Sequence, residues 1–393
     1  MNNKSKKFFG ALALASVMGA ALYALPVQAD DSWEALVAPR TDGGLVLSPC
    51  IVDVGSGKPF LAWAGTGASG TAKLPEFTFS VLNKEWSDAN MPFFGQMVNG
   101  VRCLALGMAK YTLCTVFQRN TEQSHTSFEV NFSGSVDKGW SFTKPEVADS
   151  FIHEDSAGTT VACAGVSGTR PMFAIGWLSE AKFVKVALWN PSVKMDRPRA
   201  ESIGHYSKGY ERLQLAGESK GGFLAAWSQN QRLMYTYLQP LVGTSEKVDT
   251  LTEAKVGMNF ALTDYKGRNP KAVFEMNKLR KGEGARRQVW GWKDGKWERI
   301  PAAAPPKGER PSPARLEACQ DEQGDVYVAS LTRNGENILY SRLHEGKFSE
   351  PETAISLQKV LGVTGFDIAV IDKYVYVVAS QGPYMHLVRK KIN

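Results

Sequence analysis

The chain has 393 residues and a formal net charge of +7, from 46 basic and 39 acidic side chains. Three of those bases, Lys4, Lys6 and Lys7, stand in the first 29 residues without any acid, so the remainder is only mildly basic. That balance gives no argument for a nucleic-acid partner, and beyond residue 29 no stretch is long and apolar enough to cross a bilayer.

From the N-terminus, the three lysines precede an apolar run from Phe8 to Leu25, and Val27-Gln-Ala29 offers a small-x-small cleavage site. This is the pattern of a secretory signal peptide over 1–29. Asp30-Asp31 directly after Ala29 favours cleavage over a retained anchor. The expected mature chain, 30–393, is a single domain that works outside the cytoplasm, in a periplasm or the extracellular space.

The rest of the chain repeats about every fifty residues, the signature of a propeller. Each unit starts with a short apolar strand, a Gly-rich turn and a second strand. Examples are Cys50-Ile-Val-Asp-Val-Gly-Ser-Gly-Lys-Pro-Phe-Leu-Ala-Trp63, then the run from Cys163 to Trp177, then the run from Leu215 to Trp227. Later copies run from Ala318 to Ala329 and from Ile368 to Val378. Strand-length apolar runs bounded by turn residues predict β-hairpins, not amphipathic helices. Inner strands are expected to begin near 46, 101, 159, 211, 257, 314 and 365. The last unit is one strand short. Asp31-Ser-Trp33-Glu-Ala-Leu-Val-Ala-Pro39, similar to Gly295-Lys-Trp297-Glu-Arg-Ile-Pro301, is the candidate to complete it and so remove an open sheet edge. The predicted fold is all-β: a β-propeller of seven four-stranded blades, with six as the alternative count, closed by an N-terminal strand in the last blade.

Residues 135–142, Ser-Val-Asp-Lys-Gly-Trp-Ser-Phe, follow an alternating strand from Phe128 to Phe132. Asp137 can accept hydrogen bonds from its own turn, Gly139 supplies a conformation that a Cβ resists, Ser135 adds a hydroxyl, and Phe142 anchors the next strand. The octapeptide resembles the Asp-box, the hairpin motif of sialidases and related propellers. Asn83-Lys-Glu-Trp86, Lys293-Asp-Gly-Lys-Trp297 and His344-Glu-Gly-Lys-Phe348 look like degenerate relatives at the corresponding place. The whole mature chain therefore resembles the sialidase-like, Asp-box-repeat propellers. The catalytic elements of active sialidases are not matched residue for residue. Arg40 follows Ala38-Pro39 in place of an early Arg-Ile-Pro, Arg299-Ile-Pro301 falls on an outer strand, and Leu213-Gln214-Leu215 stands where Val-Glu-Leu is expected. The catalytic residues stay unassigned.

Five cysteines leave at least one unpaired. Cys103 and Cys114 could meet across a hairpin, but Cys50, Cys103, Cys163 and Cys319 share an inner-strand phase with Ala216 and Ala369. Small packing thiols around a central axis are the expectation, with no metal site and no cofactor. Repeat-strand tryptophans (Trp63, Trp177, Trp227, Trp297) read as core, and Trp140 as exposed. The basic run from Lys278 to Arg287 reads as a solvated hairpin tip, with an anionic membrane or polysaccharide as the alternative partner. His153-Glu-Asp155 and Ser124-His125 read as polar loops.

Near the inner-strand starts, Arg102, Arg212 and Arg315 could clamp an anion bidentately, and Glu211, Glu317, Asp367 and Tyr384 could move protons or bind hydroxyls. The resemblance implies a carbohydrate or another anionic polymer as ligand at the central face. An exo-acting, sialidase-like glycoside hydrolase and a non-catalytic scaffold for a protein partner are the alternatives.

Overall fold

The computed structural model describes residues 32–39, 45–55, 57–65, 76–83, 85–87, 92, 101–121, 127–152, 160–167, 171–191, 199–239, 248–252, 255–265, 268–276, 287–301, 311–357 and 362–392. The expected signal peptide, His153-Glu-Asp155, Ser124-His125, Arg40 and all of the basic run except Arg287 lie outside them.

Seven antiparallel sheets form the ring of a β-propeller. Their inner strands are Val46–Asp53, Val101–Ala109, Val161–Val166, Leu213–Gly217, Phe260–Leu262, Pro311–Gln320 and Val363–Ile371, in blades 1 to 7. Each start lies within three residues of the expected position. Blades 2, 3, 4 and 5 are simple four-stranded meanders. In blade 1 three strands are described, and Trp86 bridges Leu82 in the fourth position. In blade 6 the outer position is divided between Lys347–Phe348 and Glu352–Ser356, both paired with Asn337–His344.

The ring closes as expected. Glu34–Leu36 pairs antiparallel with the third strand of blade 7, with Glu34 opposite Arg389 and Leu36 opposite Leu387. Trp33 is buried in the apolar cluster between blades 6 and 7, edge-on to Tyr340 at 5.1 Å. The first and last segments thus share one sheet, and no unpaired edge remains between them.

Crowding at the axis explains the small residues of the inner strands. A Cβ on Gly165 would lie 2.4 Å from the Met108 carbonyl oxygen, and one on Gly217 would lie 2.7 Å from the Gly165 carbonyl oxygen. Blades 2, 3 and 4 therefore meet backbone to backbone, which only glycine permits. The second strands carry the large rings: Trp63, Trp177 and Trp227 are fully buried between blades. Trp227 Nε1 donates to the His205 carbonyl at 2.9 Å, and Trp177 Nε1 to Asp149 at 2.8 Å, so the indoles are core with their polar edge satisfied.

The Asp-box forms the turn between the third and fourth strands of blade 2. Ser135 Oγ donates to Asp137 Oδ1 at 2.6 Å and accepts from the Gly139 amide at 2.8 Å; the Ser141 amide donates to Asp137 Oδ1 at 2.9 Å. Gly139 has φ +86° and sits over Phe60 of blade 1. Phe142 also makes ring contacts with Phe60, Phe77 and Phe79 of blade 1, so the motif joins two blades. Two of the three degenerate hairpins keep a two-residue turn: Asp294 and Gly295 have φ 48° and 81°, Glu345 and Gly346 47° and 76°.

All five thiols are free. The register sets Cys103 opposite Gln118 and Cys114 opposite Gly107, so those two cysteines do not face each other. Arg287 corrects one expectation. It is buried, 2.5 Å from Glu275 Oε1 on the neighbouring strand of blade 5 and 2.9 Å from Ser341 Oγ of blade 6. It is therefore a structural ion pair within blade 5 that also ties to blade 6, not part of a solvated tip.

Candidate functional site

A central channel of about 340 Å³ runs between the inner strands. At the end where those strands begin, blades 4, 6 and 7 bring four of the expected residues together. Arg212 stands just before the inner strand of blade 4, with its guanidinium over the Phe260 ring at 5.4 Å. Its Nη2 donates to Glu317 Oε1 at 3.0 Å and to the Leu316 carbonyl at 2.5 Å. Glu317 Oε2 accepts from Gln214 Nε2 at 3.0 Å, and Gln214 Oε1 accepts from the Leu262 amide at 2.6 Å. One carboxylate therefore links blades 4 and 6, through a residue whose other end fixes blade 5.

Asp367 lies beside this network. Its Oδ2 accepts from the Ile51 amide of blade 1 at 2.9 Å, and its Oδ1 from the Ile368 amide at 2.8 Å. Burial pushes its carboxyl up to about 7 and the Glu317 charge adds to the rise, against the two amides and Arg212. Arg315 is held below the usual guanidinium range by burial, with Arg212 contributing and Glu317 opposing; its Nη2 turns to the Thr364 carbonyl at 3.4 Å.

The other expected residues are placed differently. Arg102 is half-buried and directs Nε at Asn120 Oδ1 on the next strand of its own blade. Glu211 caps a turn: its Oε1 accepts from the Gly209 amide at 2.7 Å, and its carbonyl accepts from Thr160 Oγ1. Tyr384 is half-buried at the same end of the ring, in the hairpin where it pairs with Gln381 of blade 7. The arginines thus do not converge as a three-membered anion clamp, because Arg212 is committed to Glu317 and Arg102 to Asn120.

Gln214, Asp264 and Gln320 line the channel and were not among the expected site residues. Gln214 had a signal: it is the polar residue between two buried leucines, Leu213 and Leu215, on an inner strand. Asp264 opens onto the channel with its surface exposed there, while protein packed closely around it crowds the carboxyl. Burial pushes it up to about 7 despite bonds from the Gly217 and Tyr265 amides. Cys50 and Cys163 are half-buried and line the channel. Burial first, then Asp367 and Glu317, raise the Cys50 thiol well above its ordinary range. Among the described residues no three His, Cys, Asp or Glu side chains form a group able to hold a metal ion. No helix among them is long and apolar enough to cross a membrane.

The chemistry available is that of a guanidinium-held carboxylate beside a carboxyl that exchanges its proton near neutral pH. This site sits at the centre of a seven-bladed β-propeller. No family model and no curated protein matches the sequence. Among solved structures, the K499G mutant of the NanB sialidase from Streptococcus pneumoniae is similar at TM-score 0.54 and 8% identity, over 95% of this chain and 72% of that one. An α-L-arabinanase from Penicillium chrysogenum, complexed with arabinobiose, is similar at TM-score 0.52 and 12% identity, over 93% and 99%. A Hadza microbial sialidase is similar at TM-score 0.50 and 9% identity, over 88% of this chain and 66% of that one. At these identities the likeness is one of fold.

Proposed function

We propose that the protein binds a carbohydrate at the strand-start mouth of the central channel. The observation that carries this is the Arg212–Glu317–Gln214 network next to Asp367, on blades 4, 6 and 7. Carboxyl and amide groups held by second partners are oriented acceptors for sugar hydroxyls. The solved structures similar in fold include a sialidase and an arabinanase complexed with arabinobiose, which supports a carbohydrate by analogy of fold alone. The test is an oligosaccharide array probed with the purified protein and with Glu317→Gln. Binding that falls at least about tenfold in the variant supports the assignment. A blank array, or binding indifferent to the substitution, overturns it.

Hydrolysis is the second reading, and Asp367 is what favours it. A carboxyl near 7 can donate a proton while Glu317 stays paired with Arg212. Chromogenic glycosides, including a sialoside, assayed from pH 5 to 8 decide it: turnover lost in folded Asp367→Asn establishes an enzyme. Export belongs to the proposal too, carried by Lys4, Lys6, Lys7, the apolar run from Phe8 and the Val27-Gln-Ala29 site. N-terminal sequencing of periplasmic protein that begins at Asp30 is the result expected.

A further inference from the structure

The channel lining has a one-sided chemistry. Four carboxyls face it, those of Asp53, Asp264, Glu317 and Asp367, and among the described residues no Lys, Arg or His does. The nearest cations are engaged elsewhere: Arg212 with Glu317, Lys271 with the Gly324 carbonyl, and Arg268 with the Glu322 carbonyl. The polar donors on the lining are spent as well. Gln214 Nε2 gives to Glu317, Tyr265 OH gives to Glu322 at 3.0 Å, and Gln320 Nε2 gives to the Asn269 carbonyl at 3.2 Å. Among the described side chains, what the channel presents is mainly acceptors.

One acceptor stands out at the end opposite the Arg212–Glu317 network. Gln320, at the end of the inner strand of blade 6, is 1% exposed, and its Oε1 has no hydrogen-bond partner among the described residues. A buried carbonyl left unpaired is unfavourable, so a donor that reaches that position has something to gain. The donation to Asn269 pins Gln320 to the blade 5 loop that carries Asp264 and Tyr265, and both of those residues line the channel with it. Tyr265 OH on Glu322 ties the two loops a second time. The site is thus built: a carboxyl and an orphan carbonyl, held by interlocked turns of blades 5 and 6.

We propose that the channel takes a ligand bearing a primary ammonium, an amino sugar with a free amine, and seats that ammonium at the Asp264–Gln320 end. An ammonium has three donors and no acceptor, the complement of this lining. Its charge is the one selected by four carboxyls with no facing cation among the described residues, and it disfavours a carboxylated sugar in the same place. The ligand class rests on the carbohydrate reading above; the preference for an ammonium does not.

The experiment is calorimetric titration of the purified protein at pH 7, where a glucosamine amine still carries its proton in good part, with five probes. These are a β-1,4-linked glucosamine disaccharide, its di-N-acetylated form, lactose, sialyllactose and cyclohexylamine. The expected result is that the free-amine disaccharide binds at least about tenfold more tightly than its N-acetylated form. That preference should shrink to near unity in Asp264→Asn and fall several-fold in Gln320→Leu, a variant that removes a buried unpaired acceptor and so should fold. Equal binding of the free and acetylated disaccharides, or binding of lactose alone, keeps the carbohydrate reading and overturns the ammonium. Binding confined to sialyllactose does the same. Cyclohexylamine binding with no saccharide binding overturns the carbohydrate reading and keeps the ammonium. Binding of none of the five overturns both.

Discussion

Arg212 and Glu317 are 105 residues apart in the chain and 3.0 Å apart at the mouth of the channel, where the guanidinium also reaches the Leu316 carbonyl. The pair is partly shielded, with side-chain exposures of 12% and 22%, so its contribution lies between those of a surface and a buried bridge. Arg212→Ala should cost about 1–3 kcal/mol by urea titration, because the Leu316 carbonyl and one Glu317 oxygen lose their donor. Arg212→Lys should recover only part of this, since an ammonium lacks the fork geometry. A double-mutant cycle with Glu317→Gln that shows no coupling would contradict the geometry.

The Asp-box allows two substitutions to be ranked. Asp137 is exposed, and the hydrogen bonds from Ser135 and Ser141 outweigh burial and hold its carboxyl below the usual range. Asp137→Ala should therefore cost only about 1 kcal/mol. Its contribution is present above the ordinary carboxylate pKa and is lost as the pH falls through the lowered one. Gly139→Ala should cost more, about 2 kcal/mol or above, because its φ is +86° and a Cβ would meet Phe60 at 2.4 Å. Denaturant midpoints for the two variants give the order directly.

The closing strand should matter more than its three residues suggest. Arg389 holds Glu34 with Nε to Oε2 at 2.7 Å and Nη2 to Oε1 at 3.0 Å, but these groups are exposed and contribute little. Trp33 is the anchor, 6% exposed between blades 6 and 7. Trp33→Ala should cost about 3–5 kcal/mol, against less than about 1 kcal/mol for Glu34→Ala. Thermal unfolding of both variants separates packing from pairing.

Asp367 gives the pH prediction. Its folded-state pKa, about 7, stands above the 3.8 of an unperturbed aspartate, so the folded protein holds a proton that the unfolded chain releases. Its contribution is fully present below about pH 4 and is lost as the pH rises towards 7, with a slope of at most about 1.4 kcal/mol per pH unit for one proton. Asp264 is pushed the same way. Stability measured from pH 5 to 8 should fall with pH, and Asp367→Asn should flatten the curve. A curve unchanged by that substitution would place the ionised form of Asp367 in the folded protein throughout.

Much of this molecule is local and so legible in the chain itself. Strand–turn punctuation repeats every fifty residues, and it located all seven inner strands within three residues. The Asp-box octapeptide carries its own hydrogen bonds, and Trp33 and Trp297 share a local motif that pointed to the closing strand. The strand pattern places Arg212, Arg315, Glu317 and Asp367 near inner-strand starts, and the structure gathers them at one end of the channel. What distance in the chain hides, only the tertiary structure decided. Arg102 and Arg212 look alike in sequence, yet one ends on Asn120 in its own blade and the other on Glu317 two blades away. Arg287, at the edge of a basic run, is buried against Glu275 because blade 6 covers it. The carboxyls of Asp264 and Asp367 rise towards neutrality through burial beside an axis that no local pattern defines. Each of these depends on which side chains from different blades arrive at the same few ångströms, a property of ring closure and not of any segment.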